Sequence, residues 1–186
     1  YVLGATAAEG TLWAWNPDGT LKWRHNRDFG FQSSPVVGPG GIVYFHGSWD
    51  PACAVNPDGT GKWTIMLQGE IRGSPAIATD GTIYFPDHDE LWAVNPDGTV
   101  RWTYGAPGLN PSIGADGTVY FHNAEDLYAV RPDGTEKWVH TLDYNWREWA
   151  AALMSDGTIV AGQAWYPSQI RTLSPDGTEG WSRELE

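Results

Sequence analysis

The feature that most constrains this chain is a short motif that recurs five times. Asn16 to Trp23 reads NPDGTLKW, and its core returns as NPDGTGKW, NPDGTVRW, RPDGTEKW and SPDGTEGW. With the Asp of each copy as marker (Asp18, Asp58, Asp97, Asp133 and Asp176), the intervals are 40, 39, 36 and 43 residues. In every copy a Trp follows its Asp by five positions, at Trp23, Trp63, Trp102, Trp138 and Trp181. A unit of this length cannot bury its apolar face alone, so the units must stack on one another.

Within a unit the pattern is that of strands. GTIYFPDHDELWAVNPDGTVRWTY carries apolar runs at Ile83 to Phe85, at Leu91 to Val94 and around Trp102, with a turn at Pro96 to Gly98. A short run at Ser74 to Ala78 precedes them, joined by its own Asp80-Gly81-Thr82 turn. Each unit therefore reads as an antiparallel meander of strands A, B, C and D. The Pro of the motif presets the first central torsion of a type I turn, Asp suits the second, and Gly takes the left-handed conformation that closes the hairpin with a bulge. The motif reads as a turn rather than a calcium loop, which needs further oxygen ligands at alternating positions. The Trp reads as a wedge against the neighbouring unit. A spacing near 40 residues with four strands per unit is that of a propeller blade.

The prediction is an all-β fold: one β-propeller domain over residues 1–186, of about five four-stranded antiparallel blades. The units run approximately over 1–28, 29–68, 69–106, 107–143 and 144–186. Alignment of YVLGATAAEGTLWAWN on the other units puts Tyr1 inside strand B, so the first blade lacks its innermost strand. Three arrangements accommodate this: a five-bladed ring with one three-stranded blade, a piece of a longer propeller, or a strand supplied by another chain. An uncovered edge invites pairing, so self-association through the incomplete first blade is expected.

Composition narrows the function classes. The net charge is -12, yet eight of the 23 acids are the Asp of an Asp-Gly-Thr triplet, and without them the balance is 15 acids against 11 bases. Most of the acidity is turn chemistry, and no basic patch points to nucleic acid. The 12 Trp argue for a packed core. Cys53 is the single cysteine, which leaves no internal disulfide and no Cys-based zinc site. Neither a charged leader with an apolar run nor an apolar stretch near 18 residues is present, so no membrane span is expected.

These units resemble the quinoprotein-like (PQQ-like) β-propeller repeat family. The matching pieces are SSPVV, GIVYF and ACAVNPDGTGKW; GSPAIATDGTIYF and LWAVNPDGTVRW; NPSIGADGTVYF and LYAVRPDGTEKW; and, most divergent, AALMSDGTIV with IRTLSPDGTEGW. The family's enzymes carry a quinone cofactor, calcium held by acidic and amide side chains, and often a vicinal disulfide. One Cys and no added insertions set this chain apart from them, so no cofactor is expected. The resemblance lies closer to the non-enzymatic scaffold members of the bacterial envelope. It implies a binding or protein-interaction scaffold, without catalysis, in an extracytoplasmic setting.

Function is expected on one face of the propeller. The A-to-B and C-to-D turns are uniform, whereas the D-to-A segments (such as RHNRDFGFQ and HTLDYNWREW) and the B-to-C segments (such as HGSWDP and GQAWYPSQ) are irregular. Trp49, Trp146, Trp149 and Trp165, with Tyr166, Tyr144 and Phe31, fall on the irregular face, where they suit a protein partner or, in the alternative reading, a glycan. Gln32, Arg72 and Glu148 align with Gly108 two residues before the Ser-Pro position and are expected at the mouth of the central channel, where with His46 and His122 they are candidate ligand- or partner-binding residues. His46 and His122 follow strand B in equivalent places. With His88, Asp50, Asp87, Asp89, Glu90, Glu125 and Asp126 they stand at solvated loop ends, and no metal site is expected because the blades keep them apart. Glu70, Asp143, His140 and Glu148 show no acid-base pair at motif spacing, and no GxSxG, HExxH or phosphate loop occurs.

Overall fold

A computed structural model describes residues 2–6, 10–26, 33–47, 51–67, 73–123, 125–141, 151–163 and 168–185. They form five antiparallel sheets. The first has three strands, β1 (Val2–Thr6), β2 (Thr11–Trp15) and β3 (Leu21–Asn26). The second comprises β4 (Val36–Val37), β5 (Val43–Phe45), β6 (Ala52–Val55) and β7 (Gly61–Ile65), and the third β8 (Ala76–Ile77), β9 (Ile83–Pro86), β10 (Leu91–Val94) and β11 (Val100–Tyr104). The fourth holds β12 (Leu109–Ile113), β13 (Val119–His122), β14 (Asp126–Val130) and β15 (Glu136–Thr141). The fifth holds β16 (Ala152–Leu153), β17 (Ile159–Gln163), β18 (Ser168–Leu173) and β19 (Glu179–Leu185). Every sheet pairs its strands in chain order, and the first begins at strand B, in line with the sequence expectation. A 3-10 turn at Pro39–Gly41 is the only helical element among the described residues.

The repeated turn has the predicted geometry. In its first copy Asn16 N–H donates to Thr20 O at 2.9 Å and Gly19 N–H to Asn16 O at 2.9 Å, with Gly19 at φ +83°. The Asp18 carboxylate accepts from the Thr20 amide at 2.9 Å and the Thr20 hydroxyl at 2.7 Å. The β2–β3 register slips by one residue at Ala14 and Trp15, the expected bulge. The same pattern of backbone bonds and slips recurs in the other four blades.

Alternation along each strand divides its side chains between the two neighbouring blades. Leu12 and Ala14 of the first blade join Val43, Phe45, Cys53 and Val55 of the second. On the other side of the second blade, Tyr44, Ala52 and Ala54 join Ile83, Phe85, Trp92 and Val94 of the third. The two remaining interfaces repeat this arrangement. The core is therefore four slabs between sheets rather than one centre.

The strand D tryptophans complete each slab. Trp23 Nε1–H donates to Pro57 O at 2.9 Å, Trp63 to Pro96 O, Trp102 to Pro132 O and Trp138 to Pro175 O, each at 3.0 Å. Each acceptor lies in the motif turn of the following blade. The indole also lies flat against the turn glycine: a Cβ added at Gly59, Gly98, Gly134 or Gly177 would stand 2.8–2.9 Å from the docked ring. Glycine thus serves twice here, for its positive φ and for the space it leaves. Burying an indole of about 200 Å² is worth up to about 5 kcal/mol, against about 1 kcal/mol for its hydrogen bond, so apolar contact dominates the clasp.

Among the described residues the fifth tryptophan has no such partner. Trp181 is 56% exposed, and no atom of the described residues stands within 4 Å of a Cβ position at Gly19. Among the described residues, nothing is docked on the first turn, and Trp181 is not covered by a turn as the other four are.

Candidate functional site

The two faces of the stacked blades differ in how their polar groups are used. On the uniform face, carboxylates are consumed inside the turns that carry them. Bonds from the following Thr hydroxyl and amide hold Asp18, Asp58, Asp97 and Asp133 below the usual carboxylate range. For Asp176 the Ser174 hydroxyl adds the largest effect and brings the value down to about 2. Arg101 pairs with Asp80 and Lys137 with Asp116, each at 3.0 Å, which ties strand D to the A-to-B turn of its own blade. Such groups are acceptors already satisfied and hold no proton to give at neutral pH.

On the irregular face the B-to-C turns are held from below. Asp87 is 1% exposed. Its carboxylate accepts from the amides of Asp89 at 2.8 Å and Glu90 at 2.5 Å and from Trp92 Nε1 at 2.7 Å. One blade later Asn123 takes the same position: its Oδ1 accepts from the amides of Glu125 and Asp126 at 2.7 Å each, and its Nδ2 donates to the Tyr128 hydroxyl at 3.0 Å. Tyr128 stands where Trp92 stands in its blade and stacks on Phe121 with centroids 5.0 Å apart. A buried acceptor plus an aromatic five residues later thus fixes both turns. That spacing is visible in PDHDELW and HNAEDLY, but it reads as solvated acid until the burial is known.

The histidines are also deeper than expected. His46 and His122 are 1% and 4% exposed, so they are not solvated loop ends. His46 meets Phe85 of the third blade edge-on at 6.1 Å, and Ser33 Oγ–H donates to its carbonyl at 3.1 Å. His122 Nδ1 lies 3.0 Å from Asn123 O, and burial pushes its pKa below the ordinary histidine value. His46 follows strand B and packs on the next blade, and His122 is the last residue of β13. Gly108, the described member of the predicted channel row, is buried: its amide bonds Asp87 O at 3.3 Å, and a Cβ there would meet Phe121 at 2.7 Å. The D-to-A segment of the third blade therefore rests on that blade's own B-to-C turn.

Of the other site residues read from the sequence, Gln32, Arg72, Glu148, Trp149, Trp146, Trp49, Trp165 and Tyr166 lie outside the described residues. Among the described residues no three His, Cys, Asp or Glu side chains are arranged to hold a metal ion. No described helix is long and apolar enough to cross a membrane. Among the described residues the most exposed large apolar side chain is Met66, at 69%, just beyond β7 where strand D turns onto the irregular face.

Comparison with known proteins places this geometry in a family. BamB from Moraxella catarrhalis superposes with a TM-score of 0.76 at 16% identity, over 96% of this chain and 59% of that one. Virginiamycin B lyase from Staphylococcus aureus gives 0.78 at 12% identity, over 97% and 64%. The computationally designed Ika8 protein gives 0.82 at 13% identity, over 97% and 57%. The chain spans less than two thirds of each of these structures, and at such identities they share its fold alone. No curated protein matches. A family model described as outer membrane protein assembly factor BamB matches residues 8–159. With the repeats, the turn geometry and most of the chain in agreement, this protein belongs to that BamB-like family of PQQ-like β-propellers.

Proposed function

We propose that this chain is a non-catalytic, extracytoplasmic propeller scaffold that binds a protein partner through its irregular face. The observation that carries the reading is the contrast between the faces. The uniform face satisfies its polar groups within its own turns, whereas the irregular face sets variable segments on turns braced by Asp87 and Asn123 and presents Met66 to solvent. Variable segments on a rigid support suit recognition. The family match supports the same direction, since BamB is named as an assembly factor.

The test is site-specific photo-crosslinking. A crosslinker at position 66 is expected to trap a discrete protein, with loss of that product in Arg72→Glu, while one at the uniform-face position 154 traps none. Equal trapping at both positions would sink the reading. Tryptophan fluorescence that responds to one member of a glycan panel, and stops responding in Trp149→Ala or Trp165→Ala, would favour the glycan alternative.

A further inference from the structure

The inner strands of neighbouring blades meet, with β12 touching β8 on one side and β16 on the other. Two such junctions are closed by a side chain of one blade bonded to the backbone of the next. Ser34 N–H donates to Ser74 Oγ at 3.2 Å between the second and third blades, and Ser112 Oγ–H donates to Ala151 O at 2.7 Å between the fourth and fifth. The junction between the third and fourth blades is built differently. Asn110 stands there in the place of Ser34 and Ser74, directly before the Pro of strand A. Its residue is half-buried, and its carboxamide makes no hydrogen bond among the described residues.

The backbone sets Asn110 apart as well. At φ +45° it is the only non-glycine in the left-handed region among the described residues, although a following Pro pushes its neighbour toward extended backbone. Asn tolerates that region best when its side chain bonds locally, and here no local bond is made. The conformation belongs to a bulge: Leu109 pairs with His122 and Ser112 with Tyr120, so Asn110 and Pro111 together stand opposite Phe121. β12 thereby runs for five residues toward the irregular face, whereas β4, β8 and β16 have two each. The bulge lays Asn110 against the third blade, where Gly73, at φ +92°, leaves room for it: a Cβ there would stand 2.8 Å from Asn110 Oδ1. Strain spent on holding an unpartnered carboxamide in a gap kept open by glycine serves recognition better than packing.

We propose that Asn110 reads the main chain of an extended segment of the protein partner, which enters the junction between the third and fourth blades from the irregular face. This rests on the scaffold function proposed above and names the chemistry it recognises. The row of Ser34, Ser74 and Asn110 is neutral, which suits an uncharged group. A carboxamide presents an acceptor and donors in one plane, the complement of the N–H and C=O that a residue of an extended chain turns to one side. β12 is also the end strand of its sheet, so its own free main-chain groups offer the same kind of pairing alongside.

Selection of short linear peptides from a displayed library, on the whole chain, tests it. Peptides selected by the wild-type protein are expected to bind Asn110→Gly about tenfold or more weakly, because the hydrogen bonds of the carboxamide are lost. Glycine keeps the left-handed conformation and relieves its strain, so this variant should melt no lower than wild type, and lost binding is then not lost fold. Asn110→Asp keeps the acceptor without the donors and should weaken binding as well. N-methylation at one main-chain position of the peptide should abolish binding with every side chain unchanged. A library that yields no peptide, peptides that bind Asn110→Gly as well as wild type, or peptides that tolerate N-methylation at every position would each overturn the proposal. A crosslink at position 66 that survives Asn110→Gly would leave the scaffold function standing and sink this inference alone. Peptide binding lost in Asn110→Gly while position 66 traps nothing would do the reverse.

Discussion

Trp23 and Trp181 hold the same position in the same motif, yet one is 8% exposed and the other 56%. Both strands pair with strand C through a bulge at the same place in the motif, although Trp23 lies opposite Ala14 while the Trp181 backbone bonds the Thr172 hydroxyl. What differs is the neighbour: Trp23 lies under the Pro57 to Gly59 turn, and Trp181 lies under nothing described. The motif is therefore two half-interfaces on one hairpin, a turn that receives and a ring that inserts. Stability in such an array resides in nearest-neighbour contacts rather than in the units.

The largest expected effect breaks that contrast at its buried end. Trp23→Ala should cost about 3–5 kcal/mol in denaturant unfolding, whereas Trp181→Ala in the monomer should stay within about 0.5 kcal/mol. Similar losses at both sites would contradict the division. Next come the glycines. Gly19→Ala carries only the strain of a positive φ, about 1–2 kcal/mol. Gly59→Ala carries the same strain plus a Cβ placed 2.8 Å from the Trp23 ring, about 1–3 kcal/mol more. The difference between the two melting curves isolates the docking contact from the backbone.

Much of this fold was legible in the sequence because its determinants are local. Pro, Asp, Gly and Thr at fixed spacing specify a turn whatever surrounds it, and the alternation of Ile83 to Phe85 and Leu91 to Val94 specifies two-sided strands. The site was less legible because burial is not local. PDHDE reads as exposed acid, yet Asp87 is buried by the D-to-A segment that returns over it through Gly108. His46 and His122 read as loop ends, but both are buried, and His46 meets Phe85 of the next blade, which its own unit does not encode. Trp181 is the inverse case: its sequence is that of a docked ring, yet it is 56% exposed with no described turn over it.

The smallest effect concerns acid, and it sharpens the comparison by where it should vanish. His122 is buried at the end of β13 with its pKa lowered, so the unfolded chain binds its proton more readily than the folded one. Stability should therefore decline as pH falls through and below the ordinary value of 6.5. His122→Gln should flatten that slope in thermal melts followed across the range. The turn carboxylates act lower. With folded pKa values below the ordinary 3.8, they contribute stability above it and lose that contribution as pH falls further. Asp18→Asn and Asp58→Asn should change this lower limb alike, because their bonds to Thr20 and Thr60 lie within the turn and are the same whether or not a ring is docked. Unequal changes would mean that docking reaches the carboxylate.

The central claim, that ring and turn form one interface across blades, is most directly tested by a pair of double-mutant cycles on the monomeric chain. In Trp63→Ala with Gly98→Ala, removal of the ring takes away the obstacle that a Cβ would meet at 2.9 Å. The double variant should therefore be less damaged than the sum of the singles, with a coupling of about 1–3 kcal/mol. Trp181→Ala with Gly19→Ala should add within about 0.5 kcal/mol. Additivity in the first cycle, or equal coupling in both, would contradict the account.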